Sequence, residues 1–279
     1  MRRIAIILIV IIFSTQFAFS AEKIAIANKR EGEIRIDGKL TEEDWFRAIP
    51  ISDFTTKEPV EGGTPSERID VRFLYDEDYL YIGARMERKN PEKIQAYVSR
   101  RDNMSNSERI IIILDTYNNK QTSVSFAVTA TGVRADYYHA TDNEGDRDYD
   151  YNPVWEARTN IDSLGWTAEY AIPFSQLRFP DEDTLVFGLN INQYTPTTQE
   201  DIYWVMIPKS QSGWAPRFGK LVGIEGIRKT RRIEILPYIS TTLERKPDIA
   251  SNHPYIKEWD WKKSVGVDFK MGFGPNVTL

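Results

Sequence analysis

The chain has 279 residues, of which 41% are hydrophobic, 12% aromatic and 28% charged, an ordinary globular balance that excludes wholesale disorder. It has no cysteine and only two histidines, His139 and His253, which excludes a disulfide framework, a thiolate metal site, a cysteine nucleophile and a multi-histidine centre. A net charge of -5 leaves no electrostatic footprint for nucleic acid.

Residues 1–20 read as a secretory signal peptide. Arg2 and Arg3 supply positive charge, Ile4 to Phe13 is an unbroken apolar run, and Ala18-Phe19-Ser20 offers small residues before a cut at Ala21. The apolar stretch falls short of the roughly 20 residues a membrane-crossing helix needs. The expectation is an exported protein of the periplasm, outer membrane or cell surface.

Asp37-Gly38 then marks a turn. Thr41 is expected to cap a short helix, with Asp44 three residues on and Leu40 and Trp45 as a hydrophobic staple; Pro50 closes it. Strands are expected at 71–75, 80–88, 109–115, 124–129, 133–138, 154–161, 166–172, 186–194 and 202–205, separated by turns such as Asp76-Glu77-Asp78. Ile110 to Leu114 is apolar on both faces, as befits a central strand, whereas 166–172 alternates with period two. The predicted fold is all-β, an antiparallel β-sandwich over residues 21–226. Trp45, Trp155 and Trp166 are expected in its core.

The character changes beyond Gly226. After a basic connector, Arg232 to Thr242 is a weak strand candidate. Val265, Val267, Phe269, Met271 and Phe273 alternate with small or charged residues. Such strict alternation matches one strand of an outer-membrane β-barrel. Residues 227–279 are therefore expected to be a linker and the first strands of a β-barrel region, the alternative being a small C-terminal hairpin packed on the sandwich.

One acidic loop attracts a functional reading. Asp142, Glu144, Asp146 and Asp148 crowd oxygen ligands around Gly145, which fits part of a calcium shell of six to eight oxygens or simply a solvated acidic loop. No nucleophile elbow, phosphate loop or His-Glu-x-x-His pattern occurs, so no catalytic residues are assigned.

Several segments carry a resemblance. Ile36-Asp37-Gly38-Lys39-Leu40 with Trp45, Val71 to Asp76 with Leu80 to Gly83, Gly165 to Pro173, Phe187 to Asn190, and Trp214 with Phe218 to Leu221 resemble, in order, a family 9 carbohydrate-binding module. The match spans about residues 30–224. With Arg100-Arg101-Asp102, Leu177-Arg178-Phe179 and Leu236-Pro237-Tyr238 it is similar to large exported bacterial proteins that join such a module to a membrane-barrel-like region. The resemblance implies a sandwich, structural calcium, no catalysis, and sugar ends held between two tryptophans. Trp214 matches one of them, with Gln211 and Arg217 placed to meet hydroxyls and Trp204 a further surface candidate. At the other tryptophan stand Met104 and Ser105, and the polar contacts of the family become one of Ile110 to Ile112 and about Ala127. The expected function is non-catalytic glycan binding. The alternatives are a structural cap for a membrane β-barrel with sugar binding lost, or an accessory part of a glycoside hydrolase in polysaccharide breakdown.

Overall fold

The computed structural model describes residues 22–228, 233–245, 259–273 and 277–278. The expected signal peptide, residues 1–20, lies outside the described residues.

Twelve strands form one highly curved sheet that folds into two layers. The first layer holds, in spatial order, β7 (Arg134–His139), β6 (Ser123–Thr129), β5 (Arg109–Asp115), β10 (Thr184–Thr195) and β12 (Gly219–Glu225). The short strands β11 (Glu200–Tyr203) and β2 (Thr55–Glu58) extend it sideways from β10. The second layer holds β3 (Ile69–Tyr75), β4 (Tyr79–Glu87), β9 (Gly165–Pro173) and β8 (Glu156–Asp162). One strand, β1 (Ile24–Lys29), joins them. Its first half pairs with β12 and its second half with β3, both in parallel. Every other pairing in the sheet is antiparallel, so the expected sandwich is present with this single exception.

The main core lies between the layers. Ile110, Ile112, Leu114, Phe126 and Leu189 face Phe73, Ile82, Trp166 and Tyr170 across it, all fully buried. The opposite face of β5 is apolar too, and Ile111 and Ile113 enter a second cluster outside the first layer. The both-sided apolar run of this strand thus serves two cores.

A third cluster covers the outside of the second layer, where α1 (Glu43–Arg47) lays Trp45 over Leu74, Tyr81 and Ala171. Gly83 is required beneath it, because a Cβ there would lie 2.9 Å from the Trp45 ring. The expected Thr41 cap is not used: Glu42 precedes the first helical residue, and no side chain caps the end. Asp44 is committed elsewhere, accepting the backbone N–H groups of Glu31 and Gly32 at 3.0 and 2.7 Å.

Below Trp45 sits Glu169, wholly buried, accepting the Trp45 indole N–H at 3.0 Å and the backbone N–H groups of Asp37 and Gly38 at 3.0 and 2.7 Å. Burial pushes its carboxyl up to about 7, against the pull of those donors. Its folded pKa is raised, so its stabilising contribution is complete below the unfolded value near 4.5 and is lost as pH rises through 7. Relative to Glu169→Gln, which cannot ionise, the wild type is expected to lose up to about 3 kcal/mol of unfolding free energy between pH 4.5 and pH 8. Urea titrations of both proteins across that range measure it. Parallel curves would mean that the three donors keep the carboxylate ionised throughout.

Beyond the sandwich, β13 (Ile233–Arg245), β14 (Trp259–Phe273) and β15 (Val277–Thr278) make a separate three-stranded antiparallel sheet. The amphipathic strand pairs with the weak candidate at 232–242, which is β13, with Ile235 opposite Phe269, Pro237 opposite Val267 and Ile239 opposite Val265. These apolar residues share one exposed face. On the reverse face the Tyr238 ring lies directly over Gly266, where any Cβ would collide with it. Among the described residues no helix is long and apolar enough to cross a membrane.

Candidate binding face outside the first layer

The outer face of the first layer is built in rungs by cross-strand register. Ala135, Ala127, Ile111, Asn192 and Tyr203 stand directly opposite one another across β7, β6, β5, β10 and β11. One rung along, Arg109, Tyr194, Asp201 and Glu58 line up across β5, β10, β11 and β2. The first rung is mostly apolar and the second mostly charged; they are neighbours on one face because successive outward positions are two residues apart on each strand.

Trp214 closes over the apolar part. It is only 4% exposed and packs edge-on against Tyr203 and Phe218, with ring centroids at 6.2 and 5.2 Å, and near His139 at 6.1 Å. Its backbone N–H donates to Asp142 at 2.6 Å. The indole face that was expected to meet a sugar is therefore packed inside this cluster, as is the pair Ile111 and Ala127, while Met104 packs against its edge. Gln211 and Arg217 are exposed on the adjoining loop. Trp204 is on the other side of the sheet. It is 1% exposed in the main core, with its indole N–H donating to Asp53 at 2.9 Å. Strand parity explains the reversal: Ile202 and Trp204 point inward, so Asp201 and Tyr203 point outward.

The acidic loop folds back onto this face. Tyr138 and Asp148 exchange backbone hydrogen bonds at 2.9 and 2.8 Å, Tyr149 packs on Tyr137 with centroids at 5.3 Å, and Arg147 covers the Tyr137 ring at 5.0 Å. Its carboxylates are separately engaged. Asp142 holds the Trp214 backbone, Glu144 accepts the Tyr203 hydroxyl and pairs with Lys57 at 3.0 Å, Asp146 accepts the Thr141 hydroxyl, and Asp148 accepts the Asp150 N–H. Among the described residues no three His, Cys, Asp or Glu side chains gather closely enough to hold a metal ion. The calcium reading of Asp142, Glu144, Asp146 and Asp148 does not fit this arrangement, since those oxygens already bind protein donors in different directions.

His139 is a structural residue. It is buried, its Nδ1–H donates to the Asn143 carbonyl at 3.1 Å, and its Nε2 accepts from Ser125 at 3.3 Å. Burial lowers its pKa and keeps it neutral.

The charged rung opens into a cavity of about 340 Å3 lined by Glu58, Pro59, Arg109, Tyr194, Gln199 and Asp201. The Arg109 guanidinium lies 4.3 Å from the Tyr194 ring centre. Its Nε is buried without a hydrogen-bond partner, and it forms no ion pair among the described residues. Burial pushes its pKa down and that of Asp201 up. Asp201 accepts the Asn192 amide at 2.6 Å, and Glu58 is paired with Lys209. These residues, separated by up to 143 positions in sequence, were not identified from the sequence; the rung exists only once the register is known.

No sequence-family profile matches the chain. No curated protein matches it by sequence. Solved structures do match. A family 9 carbohydrate-binding module from Caldicellulosiruptor kristjanssonii, solved in complex with glucose, aligns at 13% identity and TM-score 0.52, covering 75% of this chain and 99% of that one. A module of the same family and organism in complex with cellotriose aligns at 12% identity and TM-score 0.50, covering 73% and 95%. A candidate carbohydrate-binding protein from Bacteroides uniformis aligns at 12% identity and TM-score 0.55, covering 73% and 100%. At such identities the likeness concerns the fold, and the fold of this chain is that of a family 9 carbohydrate-binding module.

Proposed function

We propose that the sandwich, residues 21–226, is a non-catalytic carbohydrate-binding module of an exported, outer-membrane-associated protein. The carrying observation is the cavity on its outer face, where an aromatic ring, an unpaired guanidinium and a carboxylate converge on about 340 Å3. Sugars are held by this combination of flat apolar area and fixed polar groups. The site in this reading is the Arg109–Tyr194–Asp201 rung rather than Trp214, Gln211, Arg217 and Trp204. A glycan array probed with the whole chain should give at least one reproducible class of ligand. Binding to none, by a folded sample, would remove the reading.

A second reading, a domain that caps a membrane β-barrel and has lost its sugar, is favoured by the plugged apolar rung around Trp214. The sheet of β13 to β15 supports the membrane context in either case. One of its faces carries Ile235, Ile239, Val265, Val267 and Phe269 exposed, with Trp259 and Trp261 at the same end of the hairpin. An outward apolar band flanked by aromatic residues is what a lipid-facing barrel strand presents.

A further inference from the structure

Resting on that carbohydrate reading, we propose that the cavity takes an acidic sugar, its carboxylate held by Arg109 and its ring hydroxyls donating to Asp201.

The pairing of charges around the rung points this way. Glu58 has Lys209 as its partner, Glu144 has Lys57, and Asp201 has the Asn192 amide. Among the charged groups of this rung, Arg109 forms no ion pair with any described residue, and its Nε is buried without an acceptor. A buried donor left unsatisfied is costly, and no acceptor in the protein competes with a ligand for the guanidinium that lines the cavity. The guanidinium is planar and offers a fork that matches a carboxylate in two parallel bonds. It is held over Tyr194, 4.3 Å from the ring centre, which limits where that fork can be met. Tyr194 separates Arg109 from Asp201 by one strand on each side. Adjacent strands lie about 4.8 Å apart, so the two backbones stand about 10 Å apart; the two side chains feel each other's charge without forming an ion pair, which leaves room for one pyranose ring between them. A neutral hexose would satisfy Asp201 and leave the stronger donor with hydroxyls only.

Binding of glucuronic acid, galacturonic acid and their oligomers is compared with binding of glucose and galactose counterparts, using the whole chain at two salt concentrations. The acidic sugars should bind at least tenfold more tightly, and the preference should shrink at high salt. Arg109→Gln should abolish the preference with an unchanged melting temperature, and Arg109→Lys should keep part of it. Equal binding of neutral and acidic sugars, or a preference that survives Arg109→Gln in a folded variant, overturns this inference while leaving carbohydrate binding intact. Failure to bind any sugar overturns both.

Discussion

Replacing Trp214 by alanine is expected to cost about 3 to 5 kcal/mol of stability, the range for deleting a large buried aromatic side chain. The cost arises because the indole is the plug of the second cluster, with Tyr203, Phe218 and His139 around it and Ile111 and Ile113 beneath. Loss of the side chain opens a cavity under the loop that carries Tyr149 and Arg147. One feature of Trp214 sets it apart from the other buried tryptophans. Trp45, Trp155, Trp166 and Trp204 each donate the indole N–H to a carboxylate, at 2.9 to 3.0 Å. The Trp214 Nε1 is buried with no partner among the described residues. That unmet donor works against the packing by about 1 to 3 kcal/mol. Trp214→Phe, which keeps a ring and removes the donor, should therefore cost less than about 1.5 kcal/mol. Chemical unfolding of both variants, with glycan binding measured on the same samples, decides the role. A Trp214→Ala protein of unchanged stability that has lost sugar binding would return the indole to the ligand site.

The strands with a clear pattern were legible. Residues 109–115 were expected as a strand and form one with the same ends, and the runs at 71–75, 166–172 and 186–194 fall within β3, β9 and β10. Three strands were not legible, each for a physical reason. In β1 the small residues Ala25 and Ala27 point inward while Ile24 and Ile26 are 55% and 40% exposed, so hydrophobic size runs against burial. The strand β2 is Thr-Thr-Lys-Glu and is held by a single neighbouring strand, β11. In β12 Gly219 lies where a Cβ would meet the Trp204 ring at 2.8 Å, so a glycine that reads as a breaker is a packing requirement. The candidate site was less legible than the fold. Its four side chains come from four strands, and no local spacing connects Glu58 with Arg109, Tyr194 and Asp201. Trp204 misled because a one-residue change of parity exchanges core and surface, and the outward residue is Tyr203. In the acidic loop, counting oxygens does not show that Asp142, Glu144, Asp146 and Asp148 each accept a different protein donor.

Glu108→Ala is expected to destabilise the sandwich by about 3 to 5 kcal/mol, a large share of the 5 to 15 kcal/mol that holds a typical domain folded. Glu108 is 1% exposed and immediately precedes Arg109, the first residue of β5. Its Oε2 accepts the Trp166 indole N–H at 2.9 Å and the Arg88 guanidinium at 3.0 and 2.9 Å through Nε and one terminal nitrogen. Its backbone is equally committed, the N–H donating to Gln95 and the carbonyl accepting from Ala130. The carboxylate thus ties the first layer to β4 and β9. Removing it leaves a guanidinium with 7% side-chain exposure and no counter-charge, and a core indole with no acceptor. Two effects oppose the full cost. Arg88 keeps its bonds to the Glu87 carbonyl and the Thr195 hydroxyl. A neighbouring cavity of about 220 Å3 borders both residues and gives water a route to the abandoned charge. Desolvation of a guanidinium stranded without its carboxylate outweighs both, so the net effect is a loss. Glu108→Gln, which retains an acceptor for the indole, should lie between wild type and alanine. Arg88→Met combined with Glu108→Gln should cost less than the sum of the two single changes, because each single change strands the partner of the other. Urea unfolding of wild type, the two single variants and the double variant measures the coupling, with Glu108→Ala unfolded alongside. Additive costs, or a Glu108→Ala protein within about 1 kcal/mol of wild type, would mean that water already screens the pair and that the link between the layers lies elsewhere.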